Sequence, residues 1–155
     1  MNQEVTTGVR ALGIDFGEKR IGLAVSDPQG RWAMPLATIA RETDRRAAYR
    51  IAEIARREDI GLLVIGEPLG LDGQAGPAAE RVRRFGKRLA RAAGLPLRWV
   101  NEALTTVEAS ERLREAGSDE PRRRDAVAAQ ILLQEALDRA APGAGADADR
   151  AGESP

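Results

Sequence analysis

Leu12-Gly13-Ile14-Asp15-Phe16-Gly17-Glu18-Lys19-Arg20-Ile21-Gly22-Leu23-Ala24-Val25-Ser26-Asp27 decides how the chain folds. It consists of two apolar runs joined by a short polar turn. The first ends on a carboxylate, Asp15. The second, Ile21 to Val25, is aliphatic with β-branched residues at both ends, and the pair predicts an antiparallel hairpin. Gly17 can take a positive φ at the turn without steric penalty. Packing gives no reason to end a buried strand on a carboxylate, because an unpaired buried charge costs several kcal/mol. Such a group is paired or bound to metal, and a glycine beside it lets a ligand approach the backbone. A solvent-facing Asp at an ordinary turn is the competing reading, and this stretch alone leaves both open.

The remainder of the composition narrows the chemistry. A chain of 155 residues, 43% hydrophobic and 31% charged, predicts one globular domain with a real core. Aromatic residues make up only 3%, so the core is aliphatic and base-stacking platforms are scarce, which argues against a single-strand binder built on aromatic rows. Cys and His are both absent, which removes disulfides, thiolate nucleophiles, His-dependent triads and Cys/His zinc sites. Carboxylates, hydroxyls and Arg remain, and an all-oxygen ligand set favours hard cations such as Mg2+ or Mn2+. The net charge of zero gives no overall pull toward nucleic acid, yet Lys19 and Lys87 are the only lysines among 24 cations. Arg offers a planar fork for phosphate, although biased codon usage also yields an Ala- and Arg-rich chain. No apolar run is long enough to cross a membrane and no signal-peptide pattern opens the chain, so a cytoplasmic protein is expected.

Taken in order, residues 1–8 read as a polar tail and Val9–Phe16 and Arg20–Ser26 as the hairpin strands. After the turn Pro28-Gln29-Gly30, Arg31–Ile39 reads as a third antiparallel strand. Thr43 is an N-cap for a helix to about Glu58. Ile60–Gly66, continuously apolar, reads as a strand buried on both faces. A loop from Glu67 to Gly76 follows, and Pro77 and Gly94 bracket a helix. Leu95–Val100 is the last strand, running into Asn101 and Glu102. Thr105 and Glu108 form a capping box for a helix ending before Gly117. Ser118–Arg124 reads as a charged loop, Asp125 opens the final helix, and residues 141–155 form a low-complexity tail. The expected architecture is α/β: a five-stranded mixed sheet, three antiparallel hairpin strands then parallel strands, flanked by helices, over residues 9–140. Chemistry in such sheets gathers at the carboxyl ends of the parallel strands. Asp15, Glu102 and Asp125 all lie at ends of elements that this fold can bring together. Taken singly, Glu102 is equally a solvated loop residue, and Asp125 a charge that suits a helix N-terminus.

The motifs resemble those of the YqgF/RuvX family of small RNase H-like proteins, described both as pre-16S rRNA nucleases and as Holliday-junction-resolvase-like. Leu12–Asp27 resembles the family's opening motif. Val64-Ile65-Gly66 with Pro68-Leu69 and Asp72-Gly73 resembles its central loop, Glu102-Ala103-Leu104-Thr105-Thr106 its third motif, and Asp125-Ala126 with Ala128-Ala129 and Ile131-Leu132 its last. The resemblance runs from about Ala11 to Leu137, in the family's order. It implies an RNase H-like fold, catalytic metal ligands at Asp15, Glu102 and Asp125, Mg2+ or Mn2+ as cofactor, and a nucleic-acid substrate, either structured RNA precursor or branched DNA, with the ribosome as a further partner. Asn101 stands where the family usually has Asp, Ala103 where it has Arg, Glu18 where it has a small residue and Glu67 where it has an apolar one. Loss of the Arg at 103 removes a phosphate contact or clamp near Glu102.

Two divalent ions about 4 Å apart can activate water and stabilise both the attacked phosphate and the leaving oxygen. No fourth carboxylate stands out, since Pro121 and Ala129 occupy the positions one turn either side of Asp125, so one or two metals stay open. Candidate phosphate contacts are Lys19, Arg20, Arg81 and Arg122, Arg123 and Arg124, the last three being equally a solvated run. Thr105 and Thr106 are caps rather than catalysts. The expected function is metal-dependent phosphodiester hydrolysis in 5'-end processing of pre-16S rRNA. The alternatives are a resolvase-like nuclease on branched DNA, a non-catalytic nucleic-acid-binding assembly factor, and an actin-like ATP-binding domain suggested by Gly13-Ile14-Asp15-Phe16-Gly17.

Overall fold

A computed structural model describes residues 8–69, 73–102 and 120–140. Strands β1 (Ala11–Phe16), β2 (Arg20–Ser26) and β3 (Ala33–Ala40) precede helix α1 (Asp44–Arg57). Strand β4 (Leu62–Glu67), helix α2 (Pro77–Ala93), strand β5 (Leu97–Asn101) and helix α3 (Pro121–Ala140) follow. The strands form one sheet in the order β3-β2-β1-β4-β5. β1 pairs antiparallel with β2 and β2 with β3, while β4 runs parallel to β1 and to β5. This is the mixed sheet expected from the hairpin and the helix-linked strands. The expected helix over Thr105–Gly117, the 141–155 tail and all but Gly8 of the 1–8 tail lie outside the described residues.

The two faces of the sheet differ in side-chain size. Strand side chains alternate between faces, and Leu12, Ile14, Ile21, Leu23, Leu63 and Ile65 point into a large aliphatic cluster with α1 and α2. α1 contributes Ala47, Ala48, Ile51, Ala52, Ile54 and Ala55 to this layer. Thr43 caps it, its hydroxyl accepting from the Arg46 N–H at 3.1 Å. α2 contributes Val82, Phe85 and Leu89 and ends on Gly94 at φ 68°. The opposite face is lined by Ala11, Gly13, Gly22, Ala24 and Val64, and these small residues let α3 lie directly on the strands. A Cβ on Gly13 would stand 2.7 Å from Leu133 Cβ and 3.0 Å from the Ala129 carbonyl. On the exposed edge, α3 also satisfies the backbone of β3: Gln134 Oε1 accepts from Ala33 N–H at 2.9 Å, and Gln130 Nε2 donates to the Ala33 carbonyl at 3.1 Å.

Two local expectations are corrected. Gly17 does not adopt a positive φ. Its N–H donates to the Arg20 carbonyl at 3.0 Å, and a Cβ there would stand 2.5 Å from that oxygen, so glycine is required for space. Arg41 then secures the turn, donating to the Gly17 carbonyl at 3.1 Å while its guanidinium lies 4.1 Å from the centre of the Phe16 ring. Arg122, Arg123 and Arg124 are not in a loop, because α3 starts at Pro121. Pro is pre-organised for the first helical position and Arg is a good helix former. Asp125 therefore sits one turn inside the helix rather than at its start.

Candidate active site

A lane across three strands seats the first turns of α3. Asp15 on β1 is paired in register with Gly22 on β2, and Gly22 with Thr38 on β3. Residues directly opposite one another share a face, so all three lie under α3. A Cβ on Gly22 would collide with the backbone carbonyl of Asp125, which means that the helix backbone rests in the space this glycine leaves. Next along the lane, Thr38 Oγ1 donates to the Arg122 carbonyl at 2.5 Å. Asp125 is thus fixed beside Asp15 by backbone contacts, independently of its own side chain.

Glu102 reaches the same place from the other side. It follows β5, and alternation puts it on the α3 face together with Val100. Its side chain folds back over β4, where Gly66 leaves room for it: a Cβ on Gly66 would lie 2.6 Å from Glu102 Oε1. The Asp15 and Glu102 carboxyls share a hydrogen bond. Burial is the largest influence on Asp15, followed by the charge of Glu102, that hydrogen bond and the charge of Asp125, and together they push its carboxyl from the ordinary 3.8 up to about 8.

Because the folded chain binds this proton more tightly than the unfolded chain, the Asp15 contribution to stability is complete below pH ~4 and is lost as pH rises through ~8. In the metal-free protein, thermal melting from pH 4 to 8 should therefore show a decline of at most ~1.4 kcal/mol per pH unit from this group. Asp15→Asn should flatten it. A variant with the wild-type pH profile would mean that Asp15 is not the group under strain.

Asp125 is held differently. Its Oδ2 accepts from Arg20 Nε at 2.6 Å, in a pair with side chains 28% and 36% exposed. The exposure makes this a partly solvated pair rather than a buried one. Among the described residues, no three acidic side chains stand close enough together to grip one ion. The donor set nevertheless fits a hard divalent cation. Asp15 and Glu102 share a hydrogen bond, the charges of Glu102 and Asp125 both raise the Asp15 carboxyl, and all the donors are carboxylate oxygens. A cation would offset the repulsion that raises Asp15.

The candidate phosphate contacts divide. Arg20 is the counter-ion of Asp125. Lys19 is exposed in the β1–β2 turn, close to the lane. Arg122, Arg123 and Arg124 are exposed in the first turn of α3, on the carboxylate side of the sheet. Three cations and no acid at a helix N-terminus oppose the helix dipole, which favours anions there. Arg81 is exposed on α2, on the opposite side of the sheet, and is not brought to the carboxylates. Glu67 also lies on that opposite side, buried at the end of β4 and hydrogen-bonded to Arg83, so it is not a fourth ligand. Its register partner on β5 is Asn101. An Asp at 101 would stand beside Glu67 as a like charge, which accounts for these two departures together. Ala103, Thr105, Thr106 and Asp72 lie outside the described residues. No helix among the described residues is long and apolar enough to cross a membrane.

The model of the RuvX family, described as Holliday junction resolvase, matches residues 9–139. A protein of Anaeromyxobacter sp. (strain K), named "Putative pre-16S rRNA nuclease", is 42% identical over 137 residues, 86% of this chain and 100% of the relative. One of Syntrophus aciditrophicus (strain SB) with the same name is 45% identical over 134 residues, 84% of this chain and 89% of the relative. Among solved structures, Thermus thermophilus RuvC in complex with a Holliday junction substrate superposes with a TM-score of 0.57 at 18% identity, covering 83% of this chain and 93% of that one. The fowlpox virus Holliday junction resolvase gives 0.52 at 12%, covering 83% and 96%. These structural likenesses establish an RNase H-like fold.

Proposed function

The chain belongs to the RuvX (YqgF) family, and from that membership we propose that it is a divalent-metal-dependent nuclease that hydrolyses phosphodiester bonds at the 5' end of pre-16S rRNA during ribosome biogenesis. The observation that carries the reading is that Glu102 and Asp125, both far from Asp15 in sequence, act on its carboxyl in the folded chain. Asp15, Glu102 and Asp125 would hold Mg2+ or Mn2+. When bound, such an ion supplies Lewis acidity to the scissile phosphate and to the attacking water. The chain itself does the rest. β1 and the α3 backbone fix the spacing of Asp15 and Asp125. Arg20 orients the Asp125 side chain through their ion pair. The arginines at the start of α3, together with Lys19, offer forks and a point charge for substrate phosphates flanking the site.

Changing Arg122, Arg123 and Arg124 together to Ala should weaken RNA binding at all sequences and flatten its salt dependence by about 0.7 log units per lost contact. An unchanged salt slope would make these residues solvent-facing charges only. The function itself is tested by incubating the chain with Mg2+ or Mn2+ and either an RNA carrying the 16S 5' leader junction or a four-way DNA junction. Metal-dependent trimming of the RNA in preference to the junction supports the proposal. Cleavage confined to the junction would instead favour the Holliday junction resolvase activity by which the family is described. Binding of either without cleavage would favour a non-catalytic assembly role.

A further inference from the structure

A second concentration of charge lies on the far side of the sheet. α1 and α2 pack side by side over the large aliphatic cluster, and an open groove of about 770 Å³ runs along their outer surface. Arg45, Tyr49, Arg84, Lys87, Arg88 and Arg91 line it, with Ala48 and Ala92 beneath. On α2 the cations fall at i, i+3, i+4 and i+7, so one helical face carries them all. No acidic side chain lines the groove. Among the described residues, none of these five cations is ion-paired. In a chain of zero net charge, this is a strong local asymmetry.

Tyr49 sharpens the assignment. It is the one tyrosine in the sequence, and it stands 56% exposed at the rim of the groove. The Arg45 guanidinium lies 5.9 Å from the centre of its ring. A ring and a guanidinium plane facing solvent beside a row of arginine forks suit a base and the phosphates next to it. An acidic peptide would use the charges and leave the ring idle.

We propose that the α1–α2 groove is a binding site for the phosphodiester backbone of a nucleic-acid single strand, with a base against Tyr49. The sheet and the α1–α2 layer separate it from Asp15 by on the order of 20 Å. It therefore engages a segment remote from the scissile bond, and it does not depend on the chain being a nuclease.

Binding is measured with the full chain in EDTA, where no cleavage occurs. The probes are an unstructured 30-nucleotide RNA, the DNA of the same sequence and polyglutamate. The triple change Arg84→Ala, Arg88→Ala and Arg91→Ala is expected to weaken RNA binding on the order of tenfold at low salt and to make the salt slope shallower by about 2. Tyr49→Ala is expected to weaken binding with the slope unchanged. Equal losses for RNA and DNA assign the groove to the shared backbone, and a larger loss for RNA assigns it to RNA. The inference is overturned if the triple variant, melting like wild type, binds both strands with unchanged affinity and slope. It is equally overturned if only polyglutamate binding is lost.

Discussion

Asp15→Asn is expected to reduce metal-dependent cleavage by more than about a hundredfold while far-UV circular dichroism stays native. Removing a group that merely supports a metal ligand already costs about 10–100-fold, and Asp15 is proposed as a ligand itself. Asn preserves size and much of the hydrogen bonding, so the loss isolates the charge. Asp15 is the member of the trio whose environment both neighbouring carboxylates perturb. Wild-type turnover by a preparation free of contaminating nuclease would remove Asp15 from the site.

Gly22→Ala should damage fold and site together. Gly22 lies opposite Asp15 in the hairpin, and the added Cβ would enter the space taken by the Asp125 carbonyl. Backbone cannot yield as a flexible side chain does, so α3 has to lift off β2. Overpacking of this kind costs up to about 3 kcal/mol, which for a chain of this length is a fall in Tm of roughly 6–12 °C. Cleavage should fall further than stability explains, because a displacement of about 1 Å at a catalytic group can cost on the order of a hundredfold. Thermal melting and kcat on the same preparation check both halves. A variant that melts and cleaves like wild type would show that α3 is not seated on Gly22.

Much of this arrangement can be read along the chain. The alternation Leu12-Gly13-Ile14-Asp15-Phe16 and the apolar run Ile21–Val25 specify the hairpin, and the observed β2 has the expected bounds. Thr43, Pro77 and Gly94 mark helix ends through local capping chemistry, which acts over a few residues and so is visible to inspection. The start of α3 was not legible. The apolar spacing begins only at Ala126 and Val127, and three arginines at a helix N-terminus run against the dipole rule. The Arg20–Asp125 pair joins residues 105 positions apart, and no spacing rule reaches that far. It turns a presumed phosphate contact into the counter-ion of a candidate ligand. One unused signal was present: Ala11, Gly13, Gly22 and Ala24 are small residues on a single face, which is where a helix can press against strands.

We propose that Asp15, Glu102 and Asp125 together form one cation site, whose carboxylates repel one another when no cation is bound. Melting wild type and Asp15→Asn in EDTA and in Mg2+ or Mn2+ tests it most directly, since the readout needs no substrate. With millimolar affinity and about tenfold excess metal, linkage stabilises the wild type by roughly 1.4 kcal/mol, or a rise of a few degrees in Tm. That rise is expected in wild type and little of it in Asp15→Asn, with the variant at least as stable as wild type in EDTA. Equal metal shifts in the two proteins would contradict it, because the cation would then be binding somewhere that does not involve Asp15.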